Sequence, residues 1–346
     1  MTNSALTAID TFAGAGGVSL GLAWAGFDVR AAFDFNVKAV DTYRRNLAGH
    51  IIEASSEELS APDLLGLAGL GAGEVDLLAG GPPCQGFSVQ RRGSDVDPRN
   101  ALIGDYLRHI QGLRPRAFMM ENVPALAGRR GDAILAEFTS GASALGYSVA
   151  MQILDAADYG VPQHRRRLFV VGLLGARAFE FPAPTHNSQT WLTVRDAIGD
   201  LADPRLSGAV YRLANHDPDN VSDMNRIRIS HVPEGGGRDD IPWDLRLPCH
   251  RVPVEVSGHR AVYGRLWWDR PASTVTTKCN SFTRGRFAHP AQDRNISMRE
   301  AARLQGFPDE FVFQGGRVDV AHQVGNAVPP LLAMTVGAAI AKQLNQ

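Results

Sequence analysis

The chain has 346 residues, enough for two domains or for one large domain with an insertion. Its 44% hydrophobic and 21% charged content is that of a soluble globular protein, and its start, Met1-Thr2-Asn3-Ser4, lacks the basic and apolar pattern of a secretory signal. No apolar run reaches about 18 residues, which argues against a membrane span and for the cytoplasm, and a net charge of −1 by itself points to no nucleic-acid partner.

Short apolar strands alternate with amphipathic helices through the first half. Ala5–Asp10 reads as a strand, Gly16–Ala25 as a helix, Val29–Phe33 as a strand and Val37–Asn46 as a helix. Between the first strand and first helix lies Asp10-Thr11-Phe12-Ala13-Gly14-Ala15-Gly16-Gly17. Glycines there let a ligand approach the backbone and present amide N–H groups to it. A pyrophosphate site wants Gly-x-Gly-x-x-Gly, and glycines at 14, 16, 17 and 21 fit that pattern imperfectly. A nucleoside cofactor without a pyrophosphate, such as S-adenosylmethionine, suits the loop better than a nicotinamide dinucleotide. A plain tight turn reads from it as well. Asp34, ending the second strand, is placed to accept hydrogen bonds from ribose hydroxyls or to cap the helix that follows.

Val75–Ala79 is the next strand, followed by Gly80-Gly81 and then Pro82-Pro83-Cys84-Gln85. A second apolar strand, Ala117–Met120, leads into Glu121-Asn122-Val123. Both loops fall at the carboxyl edge of the sheet, where open α/β folds bind ligands. A thiol and a carboxyl at one edge suit one reaction: addition of a thiolate to a cytosine ring with a carboxyl group at the ring nitrogen. The three cysteines, Cys84, Cys249 and Cys279, form no Cys-x-x-Cys pair, so neither zinc nor a disulfide framework is expected, and no metal. Ser88–Asn100 is polar, basic and glycine-punctuated; it reads as a loop closing over DNA or as an ordinary surface loop. Leu102–Leu113 and Asp132–Leu145 read as helices, and Ser148–Leu154 and Leu168–Leu173 as strands. The alternation argues for an α/β fold with a parallel sheet and crossover helices.

The texture changes near Phe181-Pro182-Ala183-Pro184, after which Pro, Gly, His, Trp and Arg are scattered with weak periodicity. The expected division is 1–185, a loop-rich smaller domain over 186–319, and 320–346 returning to the first domain, with an Ala-rich helix over Val328–Leu344. Residues 1–80 carry ten acids against four bases, whereas 241–290 carry three acids against eight bases. Of the 35 basic residues 32 are arginine, the side chain that reads guanine edges and phosphates bidentately. An arginine-rich composition on solvated faces accounts for the count equally well.

In order, and over nearly the whole chain, these stretches resemble the motifs of the DNA cytosine-5 methyltransferase family. They are Asp10–Gly17, Pro83-Cys84-Gln85 with Gly86-Phe87-Ser88, Glu121-Asn122-Val123, and Gln163-His164-Arg165-Arg166-Arg167. Arg270-Pro271-Ala272-Ser273-Thr274-Val275, Arg299–Pro308 and Gly325-Asn326-Ala327-Val328-Pro329 follow. The resemblance implies a class I S-adenosylmethionine-dependent, Rossmann-like catalytic domain with a smaller target-recognition domain. It implies Cys84 as nucleophile, Glu121 at the cytosine ring nitrogen and Arg165 steadying the base. Cofactor contacts fall on Phe12, Ala13, Gly14, Gly16, Gly17, Asp34, Phe35, Pro83, Leu102 and Asn326. Ser55 stands where the family has an Asp for the adenine amino group, with Glu53 or Glu57 as substitutes. DNA contacts fall on Gln85, Ser88, Gln90, Arg91, Arg92, Gln163, Arg167, Arg246 and Arg265, with Arg226, Arg228, Arg251 and Arg260 as further candidates. Trp267-Trp268 reads as packing. The implied partners are double-stranded DNA, from which the target cytosine is rotated out, and a cognate restriction endonuclease; a monomer is expected. Two other readings stay open: an RNA substrate on the same fold, and a catalytically idle DNA-binding regulator. The chain has no Cys-Phe-Thr tripeptide of the tRNA-methylating branch.

Overall fold

Residues 5–83, 101–129, 131–206, 213–252 and 261–346 are described by a computed structural model of the chain. They group into two compact units, Met1–Tyr159 with Arg166–Thr185 and Val328–Gln346, and Gly160–Arg165 with His186–Ala327. Residues 160–165 and 320–327 thus group with the second unit, whereas the sequence reading places them in the first domain and in the returning segment.

The first unit is built on a seven-stranded sheet in the order β3-β2-β1-β4-β5-β7-β6. Its strands are β1 (Thr7–Thr11), β2 (Asp28–Asp34), β3 (His50–Glu53), β4 (Leu77–Gly80), β5 (Ala117–Asn122), β6 (Tyr147–Asp155) and β7 (Arg166–Leu174). The first five pair in parallel. β7 runs antiparallel to both β5 and β6, so the sheet is mixed rather than parallel as expected. The reason is connectivity: a short connection can return a chain only as an antiparallel neighbour, whereas a parallel one needs a crossover helix. Between β6 and β7 no such helix exists; the connection holds a single helical turn, Ala156–Tyr159. The antiparallel turn has a functional result. β7 begins at the edge where β4 and β5 end, and Glu121 pairs in register with Phe169, two residues from Arg167.

Helices cover the sheet: α1 (Gly17–Trp24), α2 (Val37–Asn46), α3 (Ala61–Ala68), α4 (Ala101–Leu113) and α5 (Asp132–Ala144), with the C-terminal helix Pro330–Leu344 against α1. Asn36 caps α2, its side chain accepting from Ala39 N–H, and Ser60 with Asp63 forms a capping box on α3. The crossing of α1 and Pro330–Leu344 is close because Gly21 faces it; a Cβ there would lie 2.3 Å from the Pro330 carbonyl oxygen. On one side of the sheet Ile9, Phe33, Leu78, Tyr106, Phe118 and Phe138 share a core with α3, α4 and α5. Every residue of β5 is buried, as expected of a central strand covered on both faces. The helical stretch Arg317–Leu344 is long and apolar enough to cross a membrane by length and composition, yet 61% of that window is buried inside the protein.

The second unit has little regular structure. It contains α6 (Val194–Ile198), α7 (Asp223–Ser230), α8 (Met298–Leu304), α9 (Arg317–Asn326) and a two-stranded sheet of β8 (Gly264–Arg265) and β9 (Arg286–Ala288). Loops carry backbone carbonyls with no ladder partner, and buried ones must be satisfied by other groups. Arginine does this here. Arg299, fully buried, donates to the carbonyls of Ala214, Pro308 and Phe311. Arg286 donates to those of Gly235, Gly236 and Arg265. Arg294 pairs bidentately with buried Glu300 at 2.6 and 2.7 Å. Much of the arginine enrichment is therefore interior scaffolding.

Candidate active site

The loop after β1 is held by the end of β2. Gly14 N–H donates to Asp34 Oδ2 and Asn36 N–H to Asp34 Oδ1, both at 2.8 Å. The Asp34 carboxylate thus clamps the loop while each oxygen keeps a further acceptor site, and burial raises its pKa above the usual carboxylate range. Asp34 is not the helix cap; Asn36 is. Phe12, Gly14 and Gly16 have φ of 57°, 54° and 98°, the left-handed region in which glycine is favoured. Around Gly14 nothing lies within 4 Å of where a Cβ would project, so the loop leaves a cradle of the kind a nucleoside cofactor needs. Phe12 packs on Phe33 at 5.3 Å, Ala13 N–H donates to the Phe33 carbonyl, and Gly17 starts α1. Phe35 is 66% exposed next to the clamp. Ser55, just past β3, donates its N–H to Glu58 Oε2 at 3.1 Å, so the carboxylate beside Ser55 is that of Glu58 rather than Glu53 or Glu57. Leu102 is half-buried on α4 and Pro83 half-buried after β4. Asn326 is exposed at the end of α9 in the second unit.

At the ends of β4 and β5 lies the second part of the site. Glu121, 9% exposed, accepts from Arg167 Nε at 2.9 Å. Gly81 sits against it, since a Cβ at Gly81 would lie 3.3 Å from Glu121 Oε2. Asn122 Nδ2 donates to the Pro82 carbonyl at 2.9 Å, and its Oδ1 accepts from Val123 N–H at 2.8 Å. The chain leading to Cys84 is thereby pinned to the strand that carries Glu121. Cys84, Gln85, Ser88, Gln90, Arg91 and Arg92 lie outside the described residues, as does Arg260.

Several of the residues expected at the base or on DNA have partners inside the protein. Arg165, expected to steady the base, is 1% exposed and donates to the Val275 and Gly325 carbonyls at 3.0 and 2.9 Å. Arg167, expected on DNA, holds the carboxylate instead, because the antiparallel course of β7 puts it on the face of Glu121. Gln163 is fully buried, donating to the Leu304 carbonyl and accepting from Val275 N–H, which leaves it no surface for DNA. Arg265 is 4% exposed and spends its guanidinium on the carbonyls of Val232, His289, Gln292 and Ile229 and on Asp293. Arg246 is tied to the Ile241 and Asp239 carbonyls beside Trp243. Arg226 and Arg228 likewise bond to the carbonyls of Asp293 and Leu245. Arg251, exposed, has a weaker tie, 3.4 Å to the Asp244 carbonyl. Gln163, Arg165, Val275, Gln305 and Gly325 interlock, with Gln305 Nε2 donating to the Val324 and Ala327 carbonyls. Several of the matched stretches are thus the frame of the second unit. Sequence reasoning overlooked Asn122 as a clamp and Arg167 as the partner of Glu121. Three consecutive arginines, Arg165-Arg166-Arg167, give no local signal that singles out the last of them.

The C-5 cytosine-specific DNA methylase family matches residues 6–342. The type II methyltransferase M1.HphI of Haemophilus parahaemolyticus is 38% identical over 97% of this chain and 87% of its own length. The type II methylase M.HgiDII of Herpetosiphon aurantiacus is 35% identical over 97% and 95%. A prophage-encoded protein from E. coli, assigned as a DNA modification methyltransferase, superposes with a TM-score of 0.71 at 26% identity, covering 99% of this chain and all of that one. The S. pombe Dnmt2 methyltransferase shares the fold, with a TM-score of 0.64 at 18% identity over 99% of this chain. A mixed α/β sheet with Glu121 at the end of β5, matched along almost its entire length by one family, belongs to a C-5 cytosine-specific DNA methyltransferase.

Proposed function

We propose that the protein methylates carbon 5 of a cytosine rotated out of a short duplex DNA site, through a transient bond between Cys84 and carbon 6. The observation that carries this reading is the Arg167–Glu121 pair beside a Pro82 carbonyl pinned by Asn122, two residues before the cysteine. Carbon 5 of cytosine is a poor nucleophile. Addition of the Cys84 thiolate at carbon 6 makes the ring an enamine, and cysteine is the residue nucleophilic enough to do so near neutrality. Glu121 meets ring N3 and the amino group as charge develops, contributing about 10²–10⁴-fold as a positioned acid–base group. Arg167 keeps that carboxyl oriented. S-adenosylmethionine, when bound, supplies an electrophilic methyl group; Phe12, Ala13, Gly14, Gly16, Gly17 and Asp34 are the residues that would hold it. Loss of the carbon 5 proton to a base then expels Cys84. No metal enters the scheme.

Rotating the base out costs a few kcal/mol; Ser88–Asn100, expected to close over the DNA, lies outside the described residues, and Gln90, Arg91 and Arg92 are proposed as its DNA contacts. Target reading falls to the second unit. There Arg251 is the arginine of the earlier set with the least internal bonding among the described residues. Similarity to proteins named type II methyltransferases supports a role in DNA modification; the proposal adds protection from a nuclease of the same specificity, in the cytoplasm, by a monomer. Incubation with duplex DNA carrying 5-fluorocytosine, which cannot lose its carbon 5 substituent, is expected to trap a covalent complex that requires S-adenosylmethionine. Cys84→Ala should abolish the complex. A Cys84→Ser variant retaining full methylation would overturn the scheme.

A further inference from the structure

Asp10 is a buried carboxyl that the chemistry above leaves unused. It lies on β1, two residues before the cofactor loop, with no exposed surface. Ser19 Oγ, on α1, donates to Asp10 Oδ2 at 2.6 Å, and the Tyr43 hydroxyl, on α2, donates to Ser19 Oγ at 3.0 Å. Two hydroxyl dipoles in series therefore point at one carboxyl oxygen, an arrangement that strengthens cooperatively in a low-dielectric interior. The other oxygen, Oδ1, is buried without a hydrogen-bond partner among the described residues. The same tyrosine supports the loop: a Cβ on Gly16 would lie 3.0 Å from Tyr43 Cδ2. The ionisable groups facing Asp10 are Asp34 from β2, Tyr43 from α2 and Tyr106 from α4. Neither α1 nor β4 contains an ionisable residue, and the helix Pro330–Leu344 packed on α1 carries one, Lys342, in its last turn. Every facing group is an acid, so nothing in this set offsets a negative charge on Asp10.

We propose that Asp10, oriented by the Ser19–Tyr43 hydroxyl chain, is the counter-charge for the cofactor's cationic end. It loses its proton when S-adenosylmethionine binds and keeps it when the demethylated product binds. The inference rests on the cofactor reading above. S-adenosylmethionine carries one more positive charge than S-adenosylhomocysteine, on sulfur. In the step, the Asp10 O–H bond breaks and the proton passes to solvent, with no bond formed to the cofactor. Burial foremost, with Asp34 adding to it, pushes the Asp10 carboxyl up to about 7, so the proton is available to lose near neutrality. Asp10 is a positioning and charge-balancing residue, and its consequence is discrimination between substrate and product that grows as pH rises through neutrality.

Titration calorimetry of the full chain near pH 7, in two buffers of different ionisation enthalpy, tests this. Binding of S-adenosylmethionine should release about half a proton, and binding of S-adenosylhomocysteine close to none. Asp10→Asn, which still accepts from Ser19, should remove the difference. Tyr43→Phe keeps the ring against Gly16 and removes one dipole, so it should move the midpoint of proton release to higher pH. Equal buffer dependence for the two ligands, or a release that persists in a folded Asp10→Asn variant, would overturn the proposal while leaving the cofactor reading intact. Should Asp10→Asn not fold, an unmoved midpoint in Tyr43→Phe would overturn it. Absence of any S-adenosylmethionine binding would overturn both.

Discussion

Arg167 Nε lies 2.9 Å from Glu121 Oε1, and the two side chains are 14% and 11% exposed. The pair joins the last turn of β5 to the first residues of β7, so it exists only because β7 runs antiparallel. A largely buried carboxylate held by a guanidinium has few orientations available, which suits the role proposed for Glu121 at a ring nitrogen.

Arg167 and Arg165 should therefore fail differently. Arg167→Ala is expected to lower the single-turnover methylation rate by about 10²-fold, the scale of a charged hydrogen bond of about 1.5–3 kcal/mol, with little change in stability. Arg165→Ala strips the Val275 and Gly325 carbonyls of their donor and should cost about 3 kcal/mol in urea unfolding. Full activity in Arg167→Ala would remove it from the site.

Asn122 offers a near-isosteric test. Asn122→Asp keeps the shape but cannot donate to the Pro82 carbonyl, and it puts a second carboxylate next to Glu121. The expected result is a fall in the rate of covalent complex formation of at least about 10-fold, the loss of about one buried hydrogen bond, measured by trapping on 5-fluorocytosine DNA.

Two glycines separate binding from folding. Gly14→Ala meets no atom within 4 Å but sits at φ 54°; it should cost roughly 1–2 kcal/mol of strain, fold, and bind cofactor more weakly because the methyl group enters the cradle. Gly21→Ala places a Cβ 2.3 Å from the Pro330 carbonyl oxygen and should cost about 1–3 kcal/mol of stability. Calorimetric affinity and thermal unfolding, run side by side, check both.

His109 predicts a pH dependence of stability. It is fully buried, its Nε2 lies 3.1 Å from Ser56 Oγ, and burial foremost, with Arg108 adding, holds its pKa down at about 4. Between that value and the unfolded 6.5 the unfolded chain binds a proton that the native one does not. This contribution therefore rises with pH across the window and is lost on acidification. From pH 7 to pH 5 the wild type should lose about 2 kcal/mol more than His109→Gln in urea unfolding. Parallel curves for the two proteins would exclude the assignment.

The glycine loop after β1 and the strand ends near Gly80 and near Glu121 were legible because each is a local event. An apolar run that stops at Gly80-Gly81 or at Glu121 marks a strand end, and glycines at 14 and 16 mark a turn that side chains resist. The strand His50–Glu53 was legible only through the resemblance at Ser55, because it is four residues long and begins and ends on exposed polar residues. Gln163 and Arg165 were read as functional through the resemblance to a family motif, and Arg265 because arginine recognises DNA. The same donors also satisfy buried carbonyls, and composition does not distinguish the two uses.

By itself, the sequence determined the α/β alternation, the glycine loop before α1, and the presence of a cysteine and a glutamate at strand ends, since hydrophobic period and turn chemistry act over a few residues. Only the tertiary structure decided that Arg167 pairs with Glu121 and which arginines hold the second unit together. Those choices depend on the direction of β7 and on contacts such as Arg165 with Val275 and Gly325, 110 and 160 residues away. A guanidinium takes whichever acceptor folding brings within reach.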